Sequence, residues 1–134
     1  MSTTQLDIVT PEKKVYSDQV DMVTARAAEG DIGILANHAP FISPLQVTAV
    51  KAKKDGQDIL IAITGGFMEV HDNKVTILAE TAELPSEIDV DRAIAAKERA
   101  EERLAGKKQE NVDFERAQLA LQRAAVRINV GKSR

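Results

Sequence analysis

Val75-Thr76-Ile77-Leu78-Ala79 is followed, a few residues on, by Pro85-Ser86-Glu87-Ile88-Asp89-Val90-Asp91-Arg92-Ala93. The two stretches obey different rules. In the first, Val75, Ile77 and Ala79 alternate with Thr76 and Leu78, the two-residue period of a strand. In the second, Ser86 with Asp89 three places on resembles a capping box with Asp in place of Glu. The chain beyond it is rich in Ala, Glu, Lys and Arg, which are strong helix formers. The change near Pro85 predicts two domains, a strand-forming one over 1–85 and a helical one over 86–134.

Upstream, the strand pattern repeats. Leu6 and Ile8 alternate with Gln5 and Asp7 until Pro11 breaks the run. Val23, Ala25 and Ala27 alternate with Met22, Thr24 and Arg26, and Leu45, Val47 and Ala49 with Gln46 and Thr48. Ile59 to Ile63 is apolar on both faces, as a strand covered on both sides is. Turn signals at Asp55-Gly56, Gly65-Gly66 and Asp72-Asn73 separate the runs. Many short strands with close turns, and no helix between them, predict an antiparallel β-sandwich or flattened barrel.

Downstream, the periodicity predicts an antiparallel two-helix hairpin. Ala93, Ala96, Ala100 and Leu104 keep one face, and Gly106 stands where a C-terminal cap belongs. Asn111 or Asp113 is placed to cap a second helix. Phe114, Ala117, Leu121, Ala124 and Ile128 then step by threes and fours, a narrow seam suited to one partner helix. Small alanines allow close approach but bury little area, so such a seam stabilises only modestly.

The totals narrow the field. The 134 residues carry a net charge of -3, four aromatic side chains and no cysteine. The core is therefore aliphatic, and disulfide or thiolate chemistry is excluded. A duplex-binding protein needs a basic face that this balance does not promise. No stretch approaches the roughly 18 apolar residues of a membrane span, and none of the opening residues reads as a signal peptide. His38 and His71 lack metal-ligand spacing, and no nucleophile elbow or P-loop is present, so neither a metal site nor intrinsic catalysis is expected. His71, beside Asp72-Asn73, reads as a hairpin-turn residue.

Gly30-Asp31-Ile32-Gly33-Ile34-Leu35-Ala36-Asn37-His38-Ala39-Pro40, ending at Leu45, resembles the signature of the ATP synthase epsilon family. Thr64-Gly65-Gly66-Phe67-Met68-Glu69-Val70, with Val75 to Glu80 after it, is similar to that family's second signature. The resemblance spans essentially the whole chain, including the passage from sandwich to hairpin. It implies a non-catalytic subunit in the central stalk of a bacterial F-type ATP synthase, peripheral to the cytoplasmic face of the plasma membrane. The implied partners are the gamma subunit, the c-ring, and the alpha and beta subunits. The sandwich would sit at the foot of the stalk. The hairpin would either fold down on it or extend beside gamma, where it would block hydrolysis. Asp31 and His38 would lie in a loop facing the c-ring, though turn geometry also accounts for both.

Ile88-Asp89-Val90-Asp91-Arg92-Ala93 looks like the I/L-D-x-x-R-A pattern of epsilon subunits that bind ATP as a regulatory ligand. Asp89 near a helix N-terminus can accept hydrogen bonds from a nucleobase or ribose, and Ile88 and Ala93 would offer apolar surface to adenine. Arg92 and Arg99 share one helical face, and Arg123 and Arg127 share another. In an antiparallel pair the four guanidiniums could converge on a triphosphate, which their planar forks suit. The resemblance adds Glu83 to the set. Magnesium is neither demanded nor excluded. The plainer reading makes Asp89 a helix cap and pairs the arginines with Glu98, Glu101, Glu102 and Glu115. Arg103, Arg116 and Arg123 would either meet an acidic segment of the beta subunit or simply keep an Ala-rich helix soluble. A freestanding nucleotide-sensing adaptor, with no rotary partner, is the alternative to the stalk subunit.

Overall fold

The computed structural model describes residues 2–106 and 114–133. The strands are β1 (Thr4–Val9), β2 (Lys14–Val20), β3 (Met22–Ala27), β4 (Gly30–Leu35) and β5 (Phe41–Leu45). They continue as β6 (Thr48–Lys54), β7 (Gln57–Ile63), β8 (Gly66–His71), β9 (Lys74–Ala79) and β10 (Ala82–Glu83). A 3-10 turn at Pro85–Glu87 leads to α1 (Val90–Ala105) and α2 (Phe114–Gly131). The sandwich followed by a helical pair is the architecture the two periodicities predict.

The strand order is β10-β7-β6-β3-β5-β8-β9-β1-β2, with β4 paired to β3. All pairings are antiparallel except β1 with β9, which run parallel. The sheet folds over until β2 returns to β6, where Lys54 and Asp18 form an ion pair across the seam. Between the two layers lie the fully buried Leu6, Ile8, Ile34, Ile61, Met68 and Ile77. Each such aliphatic side chain contributes about 2 kcal/mol relative to exposure, so the sandwich has a sufficient core without aromatics.

The expected turns form at Asp55-Gly56 and Asp72-Asn73, where positive φ at both central residues gives the primed geometry that suits strand twist. Gly65-Gly66 behaves differently. It carries the chain from β7 to β8, which are not neighbours, and a Cβ on Gly66 would lie 2.0 Å from the Leu78 carbonyl oxygen. The glycine is there for close backbone approach, not for a hairpin.

Two strand readings need correction. Leu45, Val47 and Ala49 do not share one strand: β5 ends at Leu45 and β6 begins at Thr48. The chain breaks step at Gln46, whose N–H donates to the Arg26 carbonyl at 3.2 Å, and inward positions become Val50 and Ala52. The irregularity shifts the parity of the pleat. Second, Asp31 is not in a loop: Gly30–Leu35 is strand β4, in register with β3.

In the hairpin the buried seam is Ala93 and Ala100 of α1 with Ala117 and Ala124 of α2. Phe114, expected in that seam, is 45% exposed. The cap residues also shift. Ser86 lies within the 3-10 turn, and the capping exchange there is between Leu84 and Glu87, with the Leu84 N–H donating to Glu87 Oε1 at 2.9 Å. Asp89 caps α1, and Gly106 ends it. Asn111 and Asp113 fall outside the described residues. The hairpin lies down on the sandwich through the end of α2. Val130 packs with Ile88 and Ala62, bordered by Leu60, Val90 and Val126. Gly131 permits this approach, because a Cβ there would come within 2.6 Å of Val90 Cγ2.

Candidate functional site

Where residues 84–89, the hinge between β10 and α1, meet both helices and the sandwich edge, a cleft of about 430 Å³ opens. It is lined by Glu83, Glu87, Ile88, Asp89, Arg92, Ala93, Ala96, Arg99 and Arg127. Four segments supply these groups. Glu83 comes from β10, Glu87 to Asp89 from the hinge, and Arg92 to Arg99 from one side of α1. Arg127 comes from α2. The spacing 92, 93, 96, 99 follows the helical repeat, so one face of α1 presents all four.

The structure therefore brings together Glu83, Ile88, Asp89, Arg92, Ala93, Arg99 and Arg127 of the residues singled out from sequence. Arg123, one turn before Arg127, is half-buried and does not line the cleft. Glu87 and Ala96 line it and were not expected. Their signal was present in part: Ala96 shares the face of Arg92 and Arg99, whereas Glu87 enters only because the turn preceding α1 is 3-10.

The charges are arranged as well as gathered. Arg127 Nε contacts Glu83 Oε1 at 2.6 Å, both side chains being about one-third exposed. Asp89 Oδ1 accepts the Arg92 N–H at 3.1 Å, so the helix-cap role is real and occupies one carboxylate oxygen. Glu87 lies below the usual carboxylate range, chiefly through the Leu84 N–H and secondarily through Lys13, whose Nζ is 3.5 Å away. The side chains of Arg92 and Arg99 are exposed and form no ion pair with Glu98, Glu101 or Glu102 among the described residues. Two guanidiniums thus face the cleft without a carboxylate ion-pair partner among the described residues, and a third is held by Glu83. Such a set suits a polyanion with a polar head group. Ile88 and Ala93 are 4% and 5% exposed, so each offers a ligand only a narrow apolar strip.

The other residues singled out lie elsewhere. Asp31 is exposed on β4 and pairs with Arg26 at 3.1 Å. His38 is half-buried after β4, its Nδ1 2.7 Å from the Ala39 carbonyl and its ring edge-on to Phe41. Arg103 and Arg116 are exposed on the hairpin, away from the cleft.

A separate surface stands out on the sandwich. Ile42, Phe67 and Leu78 are 68%, 55% and 57% exposed; Phe67 lies directly opposite Leu78 on β9 and Pro44 on β5, and Ile42, opposite Glu69, is its diagonal neighbour on the same face. Contiguous apolar side chains on an outer sheet face mark an interaction surface.

The family model described as the beta-sandwich domain of the ATP synthase delta/epsilon chain matches residues 3–85, and that of its long alpha-helix domain matches residues 86–132. The chain belongs to the ATP synthase delta/epsilon family. An ATP synthase epsilon chain of Halalkalibacterium halodurans is 55% identical over 130 residues, covering 97% of this chain and 98% of that one. One from Alkalihalophilus pseudofirmus is 57% identical over 114 residues, covering 85% of this chain and 86% of the relative. Among solved structures, a chain of the Euglena gracilis mitochondrial ATP synthase, determined by cryo-EM as OSCP/F1/c-ring in rotational state 1, superposes with a TM-score of 0.77. It is 25% identical, and the match covers 91% of this chain and 77% of that one. Within a delta/epsilon chain, the outer apolar face and the hinge cleft are two distinct surfaces, one on each family domain or its border.

Proposed function

We propose that this chain is a non-catalytic subunit of the central stalk of a proton-translocating ATP synthase, with a hairpin that gates hydrolysis under the control of ATP. The sandwich docks on gamma and the c-ring through the face carrying Ile42, Phe67 and Leu78 and through the segment around Asp31 and His38. The complex holds it at the cytoplasmic side of the membrane. Extended among the alpha and beta subunits, the hairpin blocks rotation in the hydrolysis direction, and Arg103, Arg116 and Arg123 supply charge for contacts there. Docked on the sandwich, it does not.

One observation carries the regulatory part. The cleft is built from β10, the hinge, α1 and α2 together, so it has its full complement of groups only while the hairpin is down. A nucleotide that needs both Glu83 and Arg127 as neighbours binds that arrangement better than any in which α2 has left. Differential binding of this kind shifts the equilibrium toward the docked form. High ATP then relieves the block and low ATP permits it. Arg92 and Arg99 are the phosphate-binding groups, with Arg127 released to them from Glu83. Asp89 and Glu83 are the acceptors for the nucleoside.

Calorimetric titration of ATP into the isolated chain tests this, with Asp89→Ala and Arg92→Ala alongside. Saturable binding that both substitutions abolish supports the regulatory site. Absence of binding at millimolar ATP removes it and leaves the stalk role standing, which capture by an alpha-beta-gamma complex tests separately.

A further inference from the structure

The groups of the hinge cleft are sorted along α1 as well as gathered. The carboxylates of Glu83, Glu87 and Asp89 lie at the hinge end. Arg92 and Arg99, which have no ion pair among the described residues, follow about one and three turns along the helix from Asp89. The third arginine, Arg127, is tied to Glu83. A ligand with a hydrogen-bond-donating head and an anionic tail therefore fits with its head at the hinge and its tail running up α1.

The basic row does not stop at Arg99. A second hollow, of about 310 Å³, opens beyond the cleft and shares Arg99 with it, and Glu102, Arg103 and Gly106 line the rest. At about 3.6 residues per turn, Arg103 stands about 20° around the helix from Arg92 and about 40° from Arg99, so the three arginines occupy one face. Arg103 is exposed and forms no ion pair among the described residues. Its Cα lies about 6 Å along the axis beyond that of Arg99, and long side chains on a helix lean toward its N-terminus, the direction of the cleft.

We propose that Arg103, while the hairpin is docked, is a further ligand-binding residue that takes the terminal phosphate of a nucleoside triphosphate whose base lies at Asp89. The identity of the ligand rests on the regulatory reading above. A diphosphate tail ends short of this position, so Arg103 makes the site distinguish the triphosphate from the diphosphate. Arg103 also stands in the last turn of α1, where a cation complements the helix dipole with or without a ligand. Glu102, beside it in the hollow, opposes an anion there.

Calorimetric titration of the full chain with ATP and, separately, with ADP tests this. Arg103→Gln is expected to weaken ATP about fivefold and to leave ADP within about twofold, the loss of one exposed charge-assisted contact made by the third phosphate alone. Glu102→Gln should move the other way, tightening ATP by about twofold with ADP unchanged, a gain that damage to the helix cannot produce. Arg92→Gln, in the part of the row that both nucleotides reach, weakens both. Equal weakening of ATP and ADP by Arg103→Gln assigns that arginine to the helix dipole and overturns the inference, as does no change in either. A wild-type chain that binds neither nucleotide overturns the regulatory reading itself and the role of Arg103 with it.

Discussion

Arg127 Nε stands 2.6 Å from Glu83 Oε1, joining the last turns of α2 to the final strand of the sandwich. This pair bridges the two domains at the hinge, beside the Val130–Ile88–Ala62 contact. Partial exposure limits its worth to about 1 kcal/mol. A double-mutant cycle with Glu83→Gln and Arg127→Met is expected to give a coupling energy of that size, read as faster amide exchange over the end of α2 in each single variant. A coupling near zero would leave the apolar contact as the whole of the docking.

Gly131 tests the apolar part of the same junction. Gly131→Val places branched atoms against Val90, a side chain too short to move aside, and overpacking of this kind costs about 1–3 kcal/mol. The hairpin should lift while the sandwich persists. Limited proteolysis near residues 84–89 is expected to accelerate several-fold, with the melting of the sandwich shifted little.

Gly66 is less forgiving. A Cβ there meets the Leu78 carbonyl at 2.0 Å, and the residue has φ of 145°. Gly66→Ala should destabilise the sandwich by about 3 kcal/mol or more, since backbone must move on both strands. Urea denaturation of the full chain measures it.

Asp7 gives the sandwich an acid limit. Its carboxyl is lowered from 3.8 to about 2 by hydrogen bonds from Ser17 and Gln5, which outweigh the effect of burial, with Lys74 and Lys14 adding to them. A carboxyl depressed by folding stabilises above its unfolded value and loses that contribution as pH falls toward its folded one. Stability of the wild type should thus drop between about pH 4 and pH 2. Asp7→Asn should be less stable at neutral pH and show a shallower acid loss over that window in chemical denaturation.

Phe67 separates folding from assembly. More than half exposed on β8, it contributes little to the core, and Phe67→Ser should change stability by no more than about 0.5 kcal/mol. Its affinity for an alpha-beta-gamma complex should nonetheless fall by about 2 kcal/mol, the loss expected of a central aromatic anchor. Unchanged affinity would place the docking face elsewhere on the sandwich.

The passage from period two to period 3.6 at Pro85 made the two-part architecture legible, and the Asp-Gly and Asp-Asn turns marked two hairpins. The parity shift at Gln46 was not legible, because an irregularity in a ladder leaves the local alternation of Leu45, Val47 and Ala49 looking intact. Nor was β4: a strand holding Gly30 and Gly33 contradicts its own propensity and is set by pairing with β3. At the cleft, helical spacing located Arg92 and Arg99 on one face. It could not assign Arg123, since which turn of α2 reaches the cleft depends on where the hairpin rests. Glu87 was hidden by the capping pattern read at Ser86, one that the chain realises between Leu84 and Glu87 instead.

The parallel pairing of β1 with β9 sets an order of events at birth. β1, made well before β9, takes its place between β2 and β9, and β9 ends at Ala79. Until those later residues emerge, β1 and β2 form at most a two-stranded hairpin with both edges open, a state prone to mispairing. The sandwich closes only when nearly all of its own sequence has been made. The helical segment then follows onto a completed surface, so the hairpin is added after the sandwich on which its last turn lies.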